Sequence, residues 1–298
     1  MLHRRLVVLA VLAGLAAAAL APAAVVVAQD PPAQPSANTL RIVTGDGPMK
    51  LAEVTVAPSK ALGIAVTVVP RNPDQSRADA LIDGSADLLL TGQPLTKAEV
   101  MKAIETRGLP PICTVLVRDA LAVVVHRSNN VGFVTYGQLG AIYSGKLTSW
   151  SSLEGGIDEA IRPLLPPVTS DSTLYFARRM MNNEPFGETA AMLANGRELI
   201  KRIEAGAQGD TGAIGVVSLS QVNPDRVKVL EITKERDAKA FKPTAETVGN
   251  ASYPLTRVLY AWSLGRPADG SAVKKWLDLV RTPAGQKALT DAGYFPLR

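Results

Sequence analysis

Residues 39–69 read TLRIVTGDGPMKLAEVTVAPSKALGIAVTVV, and their order of apolar runs and turn formers decides the fold class. Leu40 to Val43 has the length and β-branched content of a buried strand. The turn formers Thr44-Gly45-Asp46-Gly47-Pro48 follow, then a helical stretch to about Leu62, then a second apolar run from Ala65 to Val69. Strand, helix and strand in that order make a parallel pair joined by a crossover. The pattern continues outward. Arg71 to Ser76 reads as a loop, Arg77 to Asp83 as a short helix, and Ala86 to Leu90 as a third strand ending at Thr91-Gly92-Gln93-Pro94. Pro94 stands where helices begin, and Thr96 to Thr106 has helical spacing. Ile112 to His126, rich in Val, Leu and Ile, is one long strand or two abutting ones. Further on, helices are expected over Tyr136–Ser144, Ser170–Asn182 with Ser170 or Asp171 as N-cap, and Glu188–Ala205. Strands are expected over Ala213–Val217, Val227–Ile232 and Tyr253–Ser263, and one or two closing helices over Ala272–Asp291. The class is α/β, with mainly parallel sheets flanked by helices.

The N-terminus bears on the compartment. Arg4 and Arg5 precede an uncharged, Ala-rich run from Leu6 to Val27, the layout of a signal peptide over 1–28 that is cut before Gln29. A polar leader, 29–38, follows. The run is also long enough to be an uncleaved anchor at roughly 20 residues, although Gly14 and Pro22 interrupt it. No cysteine lies near the cut, so a lipid anchor is not expected, and an exported, periplasmic protein is. Loss of Arg4 and Arg5 leaves 30 basic side chains against 27 acidic ones. So small and scattered an excess does not make the basic face of a nucleic-acid binder. The lone Cys113 excludes an intramolecular disulfide and, inside the apolar run Ile112 to Val117, reads as a buried small hydrophobe.

Catalytic and metal constellations are scarce. The histidines are His3, within the signal peptide, and His126. One histidine and one distant cysteine do not build a zinc site. A Ser-His-Asp triad needs His126, which closes the apolar run Ala-Val-Val-Val-His and reads as structural. Gly45-Asp46-Gly47 lacks the third glycine of a dinucleotide loop and the lysine of a P-loop. No enzyme activity, metal or cofactor is expected.

Several segments together resemble the PstS-like phosphate-binding proteins of bacterial ABC transporters. They are Ala80 to Leu95, with its Thr-Gly-Gln-Pro-Leu end; Ala120 to Asn130; Ile142-Tyr-Ser-Gly-Lys-Leu-Thr-Ser-Trp-Ser-Ser-Leu153, the most specific; Gly212 to Ser218; Tyr253 to Tyr260; and Thr282 to Ala288 through Gly293 to Leu297. The resemblance implies a two-lobed type II periplasmic-binding fold with chain crossings near 127–130 and 250–254. Lobe 1 would be 39–127 plus 253–298, and lobe 2 would be 128–252. It implies a monomer that holds a small-molecule or inorganic anion in the interlobe cleft and delivers it to an inner-membrane ABC transporter permease. The ligand-binding residues would be Thr44, Gly45, Asp46 and Gly47 in the first loop and Asp74, Gln75 and Ser76 in the second. Gly92 and Gln93 would follow from the third loop, and Ser170, Asp171, Ser172 and Thr173 from a helix start.

The same segments depart from the family's pattern. Asp171 replaces a glycine in the Ser-Gly-Thr motif, and Pro166 occupies the expected arginine position. Asp46 stands where the first loop usually carries Ser or Thr, Asp74 where the second usually carries Ser within a glycine-rich turn, and Gln93 where many relatives carry Asp or Arg. A carboxylate about 4 Å from a bound anion repels it by roughly 4 kcal/mol per unit charge pair at an effective dielectric near 20. Three readings stay open: the aspartates point outward as N-caps, the cleft is retuned to a neutral or cationic ligand in a sensory or scaffold protein, or the cleft is degenerate and binds partners. Arg71 and Lys50 are candidate cations.

Overall fold

The computed structural model describes residues 38–69, 75–206 and 211–297, so the expected signal peptide lies outside the described residues. The quoted stretch folds as β1 (Thr39–Thr44), α1 (Met49–Ala61) and β2 (Ala65–Val69). β1 and β2 are parallel, with Thr39 opposite Ala65. Then come α2 (Asp79–Ile82), β3 (Leu88–Thr91) and α3 (Lys97–Arg107). α3 starts after Thr96 and not at Pro94, because Thr96 and Glu99 form a reciprocal capping box there, which satisfies two of the free N–H groups at once.

β4 (Pro111–Val125) is one continuous strand of 15 residues. The chain continues through β5 (Phe133–Thr135), α4 (Tyr136–Tyr143), β6 (Arg162–Leu165), α5 (Asp171–Met180), β7 (Ala191–Met192), α6 (Gly196–Ala205) and β8 (Ala213–Ser218). It closes with β9 (Lys228–Val229), β10 (Glu231–Thr233), α7 (Ala245–Gly249), β11 (Thr256–Leu264), α8 (Ala272–Leu279) and α9 (Pro283–Asp291).

The main sheet runs β2-β1-β3-β11-β4-β8-β6-β7, with β9 also on β4, while β10 and β5 pair separately. β4 joins its two halves by changing partner. Pro111 to Ala120 pairs antiparallel with β11, and Leu121 to Val125 with β8. Each half buries its own apolar core. Leu40, Ile42, Leu88, Leu259 and Trp276 build one. Tyr143, Trp150, Phe176, Leu165 and Ile214 build the other, where Trp150 Nε1 donates to Gly212 O at 2.9 Å. A buried indole of this kind needs such a partner for its N–H.

Three expectations are corrected. The helix expected over Glu188–Ala205 is α6 alone, because the Asn195 side chain caps it by accepting from Glu198 N, and Ala191 and Met192 pair with β6 instead. The strand expected over Val227–Ile232 is two: β9 lies on β4 and β10 on β5, and the chain passes from one sheet to the other at Leu230. Cys113 is exposed. In its neighbourhood β4 pairs with β11 on one side only, so the apolar run lies at an open sheet edge. Among the described residues, no helix is long and apolar enough to cross a membrane.

Candidate functional site

Loops at the carboxyl ends of β1 and β3, the first turn of α5 and one side chain of β11 meet between the halves of the sheet. Parallel strands end in such loops, and helices that follow them present free N–H groups there. Gly45 N donates to Leu90 O at 3.1 Å and ties the first turn to β3. Thr91 Oγ1 donates to Gln93 O at 2.7 Å and tightens the second turn. On the opposite side Ser170 caps α5, accepting from Thr173 N at 3.1 Å, and Thr173 Oγ1 donates to Pro166 O at 2.9 Å. With Ser170 as the cap, Asp171 is the first helical residue and points inward, so it is no outward-facing N-cap.

Asp171 is fully buried. Its Oδ2 accepts from Gly92 N at 2.8 Å, its Oδ1 from Arg77 Nη1 at 3.1 Å, and its carbonyl from Gln93 Nε2 at 3.3 Å. Arg77 Nη2 in turn donates to Glu99 Oε2 at 3.1 Å. Asp46 is half-buried. Its Oδ1 accepts from Ser172 N at 3.4 Å and its carbonyl from Gln221 Nε2 at 3.0 Å. Burial, reinforced by the charge of Asp46, pushes the Asp171 carboxyl above the usual carboxylate range, against the pull of the Gly92 amide, Arg77 and Arg257.

Arg257 enters from the start of β11, opposite Asp119 in the β4 register. Both side chains are buried, with 1% and 0% exposure. Arg257 Nε donates to Asp119 Oδ2 at 2.9 Å, Nη2 lies 2.8 Å from the same oxygen, and Ser218 Oγ donates to Asp119 Oδ1 at 3.0 Å. Burial pushes the Asp119 carboxyl up, with Arg257 and Ser218 opposing. Burial also works against the Arg257 charge, but Asp119 and Asp46 outweigh it and the guanidinium stays protonated. Among the described residues, Arg257 Nη1 and the buried Ser172 Oγ have no hydrogen-bond partner. Unmet donors in a protein interior are costly, and a guanidinium fork matches an oxyanion in geometry and charge.

Glycines make room around these groups. A Cβ on Gly47 would lie 2.1 Å from Arg257 Nη2, one on Gly92 3.0 Å from Arg257 Nη1, and one on Gly45 2.4 Å from Asp171 Oδ2. A side chain at any of the three would displace a charged group.

Of the residues expected at the site, Thr44 to Gly47, Gly92, Gln93 and Ser170 to Thr173 gather here. Gln75 and Ser76 are exposed, and Ser76 Oγ donates to Glu99 Oε1 at 2.9 Å instead. Asp74 and Arg71 lie outside the described residues. Lys50 Nζ donates to Ser220 O at 2.6 Å across the two halves. A cavity of about 710 Å³ opens outward from Asp46 and Gln221 between α1 and α6. Arg77, Asp119 and Arg257 were not among the residues read from the sequence. The available signal was that Asp119 and Arg257 interrupt apolar strands, where a buried charge has to be paired. His126, just past the end of β4, has Nδ1 at 2.7 Å from Ser128 Oγ.

A family model described as the PBP superfamily domain matches residues 31–281. The chain is 26% identical to Protein SphX of Synechococcus elongatus, over 94% of this chain and 85% of that one. It is also 26% identical to the phosphate-binding protein PstS of Staphylococcus epidermidis, over 72% of this chain but only 64%, under two thirds, of the relative's own length. Among solved structures, the phosphate ABC transporter substrate-binding protein of Clostridium perfringens, with bound phosphate, superposes with a TM-score of 0.72 at 20% identity, over 88% of this chain and all of that one. The ABC-type phosphate transport receptor of Vibrio cholerae gives 0.62 at 22% identity, over 85% and 98%. A curled sheet in two halves, each with its own core and the glycine-lined cleft between them, is the two-lobed fold of these structures, and the chain belongs to the PBP superfamily domain family.

Proposed function

We propose that the protein is an exported solute-binding protein that captures phosphate or a related small oxyanion between the lobes, catalyses nothing, and delivers its ligand to an ABC transporter permease. The observation that carries this reading is Arg257: a buried, charged guanidinium with Nη1 unpartnered among the described residues, packed against Gly47 and Gly92 where a side chain would displace it. The relatives named above as phosphate-binding proteins point the same way. We assign 39–127 with 253–298 to one lobe and 128–252 to the other. The partner exchange in β4, at Ala120 and Leu121, lies a few residues before the first of these boundaries.

Titration calorimetry of the chain lacking residues 1–28 should give a single saturable phosphate site that Arg257→Met removes. Absence of heat with both phosphate and sulfate would overturn the reading. A second reading, a sensory or scaffold protein with a cleft for a neutral or cationic ligand, is favoured by one observation, the presence of Asp46 and Asp171 in the same cleft. Saturable heat with small amines or sugars in place of the oxyanions would establish it.

A further inference from the structure

We propose that Asp171 is a built-in competitor for the oxyanion: its carboxylate sits on hydrogen-bond donors that a captured anion would use, so capture requires Asp171 to take up a proton. This inference rests on the oxyanion reading above and names what regulates that site.

The geometry is that of an internal ligand. The carboxylate is buried, with one oxygen on the Gly92 amide and the other on Arg77. Its Oδ2 packs directly over Gly45, and at Gly92 the unpartnered Arg257 Nη1 and the Asp171 Cβ stand side by side, at 3.0 and 3.4 Å from where a Cβ would stand. A carboxylate and a phosphate take N–H and guanidinium donors in the same way, so two anions at this point compete for one set of partners.

Charge adds to the competition. Asp171 faces Asp46 from the turn after β1, Arg77 from the segment before α2, and Arg257 from β11. Glu99 of α3 stands behind Arg77 and Asp119 of β4 behind Arg257. Four carboxylates thus share two guanidiniums before any ligand arrives. A further anion in this low-dielectric space is strongly opposed, and a single proton on Asp171 both relieves the repulsion and frees the Gly92 amide and Arg77. Burial and Asp46 already bias Asp171 towards that proton.

The test is calorimetry of the chain lacking residues 1–28 with phosphate and with sulfate, whose charge is constant from pH 5 to pH 8. For the wild type, sulfate affinity should fall about tenfold or more over this range, the signature of a proton taken up with the anion. Titrations in two buffers of different ionisation heat should show that uptake directly. Asp171→Asn and Asp171→Ala should bind about tenfold tighter than the wild type at pH 8 and lose most of the pH dependence. A pH-independent wild-type affinity without proton uptake would overturn the competitor role and leave the oxyanion reading standing. So would folded variants that bind no better, or worse, since Asp171 would then be a ligand partner. If neither anion binds any of the three proteins at any pH, both readings fall. Should the variants not fold, proton uptake by the wild type decides alone.

Discussion

At the scale of single residues, the cleft is governed by charges placed where water cannot reach them. Asp119 and Arg257 neutralise each other inside the sheet, leaving one edge of the guanidinium for the cleft. Asp171 has no such private partner, since it shares Arg77 with Glu99. Its stability contribution therefore depends on pH. Because its carboxyl is raised from the ordinary 3.8 in the fold, the folded chain holds the proton more tightly than the unfolded one. The stabilisation this brings is complete below that ordinary value and is lost as pH climbs through the raised one. Asp171→Asn does not titrate. From pH 4 upward, the wild type should lose ground against the variant in urea unfolding free energy. A difference that is flat with pH, or that moves in favour of the wild type, would show that the carboxyl is not raised.

At the scale of elements, most of what builds the cleft is local. The helix start at Ser170 was legible because a serine ahead of an amphipathic stretch satisfies free N–H groups whatever surrounds it. That cap has a structural consequence beyond the helix: it fixes the turn that aims Asp171 inward and leaves Ser172 Oγ in the cleft. Ser170→Ala should cost about 1 kcal/mol in urea unfolding. A loss below a few tenths would mean that the Thr173 to Pro166 hydrogen bond holds the turn unaided. The elements that sequence reading misplaced are those set by neighbours. Ala191 and Met192 have helix-compatible side chains but find the free edge of β6, and Leu230 marks a step between two sheets that no periodicity encodes. The long β-rich run that became β4 was legible as a strand, whereas its change of partner at Ala120 was not, because pairing depends on strands distant in the chain.

At the scale of the whole molecule, two apolar cores are joined through β4 and β11, and polar contacts span the space between them. These are Arg77 with Asp171, Lys50 with Ser220 O, Gln221 with Asp46 O, and the exposed Arg197 with Glu53. These are hydrogen bonds and ion pairs, which can be exchanged for water, so they are suited to opening and closing, which is how hinged lobes admit a ligand. The Gly92 amide donates across the gap to Asp171 and reports on it. In Arg77→Ala, hydrogen exchange at Gly92 should be about tenfold faster or more, while amides within β4 stay protected as in the wild type. Unchanged exchange at Gly92 would mean that the ion pair does not hold the halves together. By itself the sequence determined the alternation of strands and helices, the caps and the glycine turns, since these follow from propensity and periodicity within a few residues. Only the tertiary structure decided that Arg77, Asp119 and Arg257 belong to the cleft, that Asp171 turns into it, and that Cys113 lies at an open edge. Each of these depends on burial and charge pairing between segments tens of residues or more apart, and local pattern carries no information about such distances.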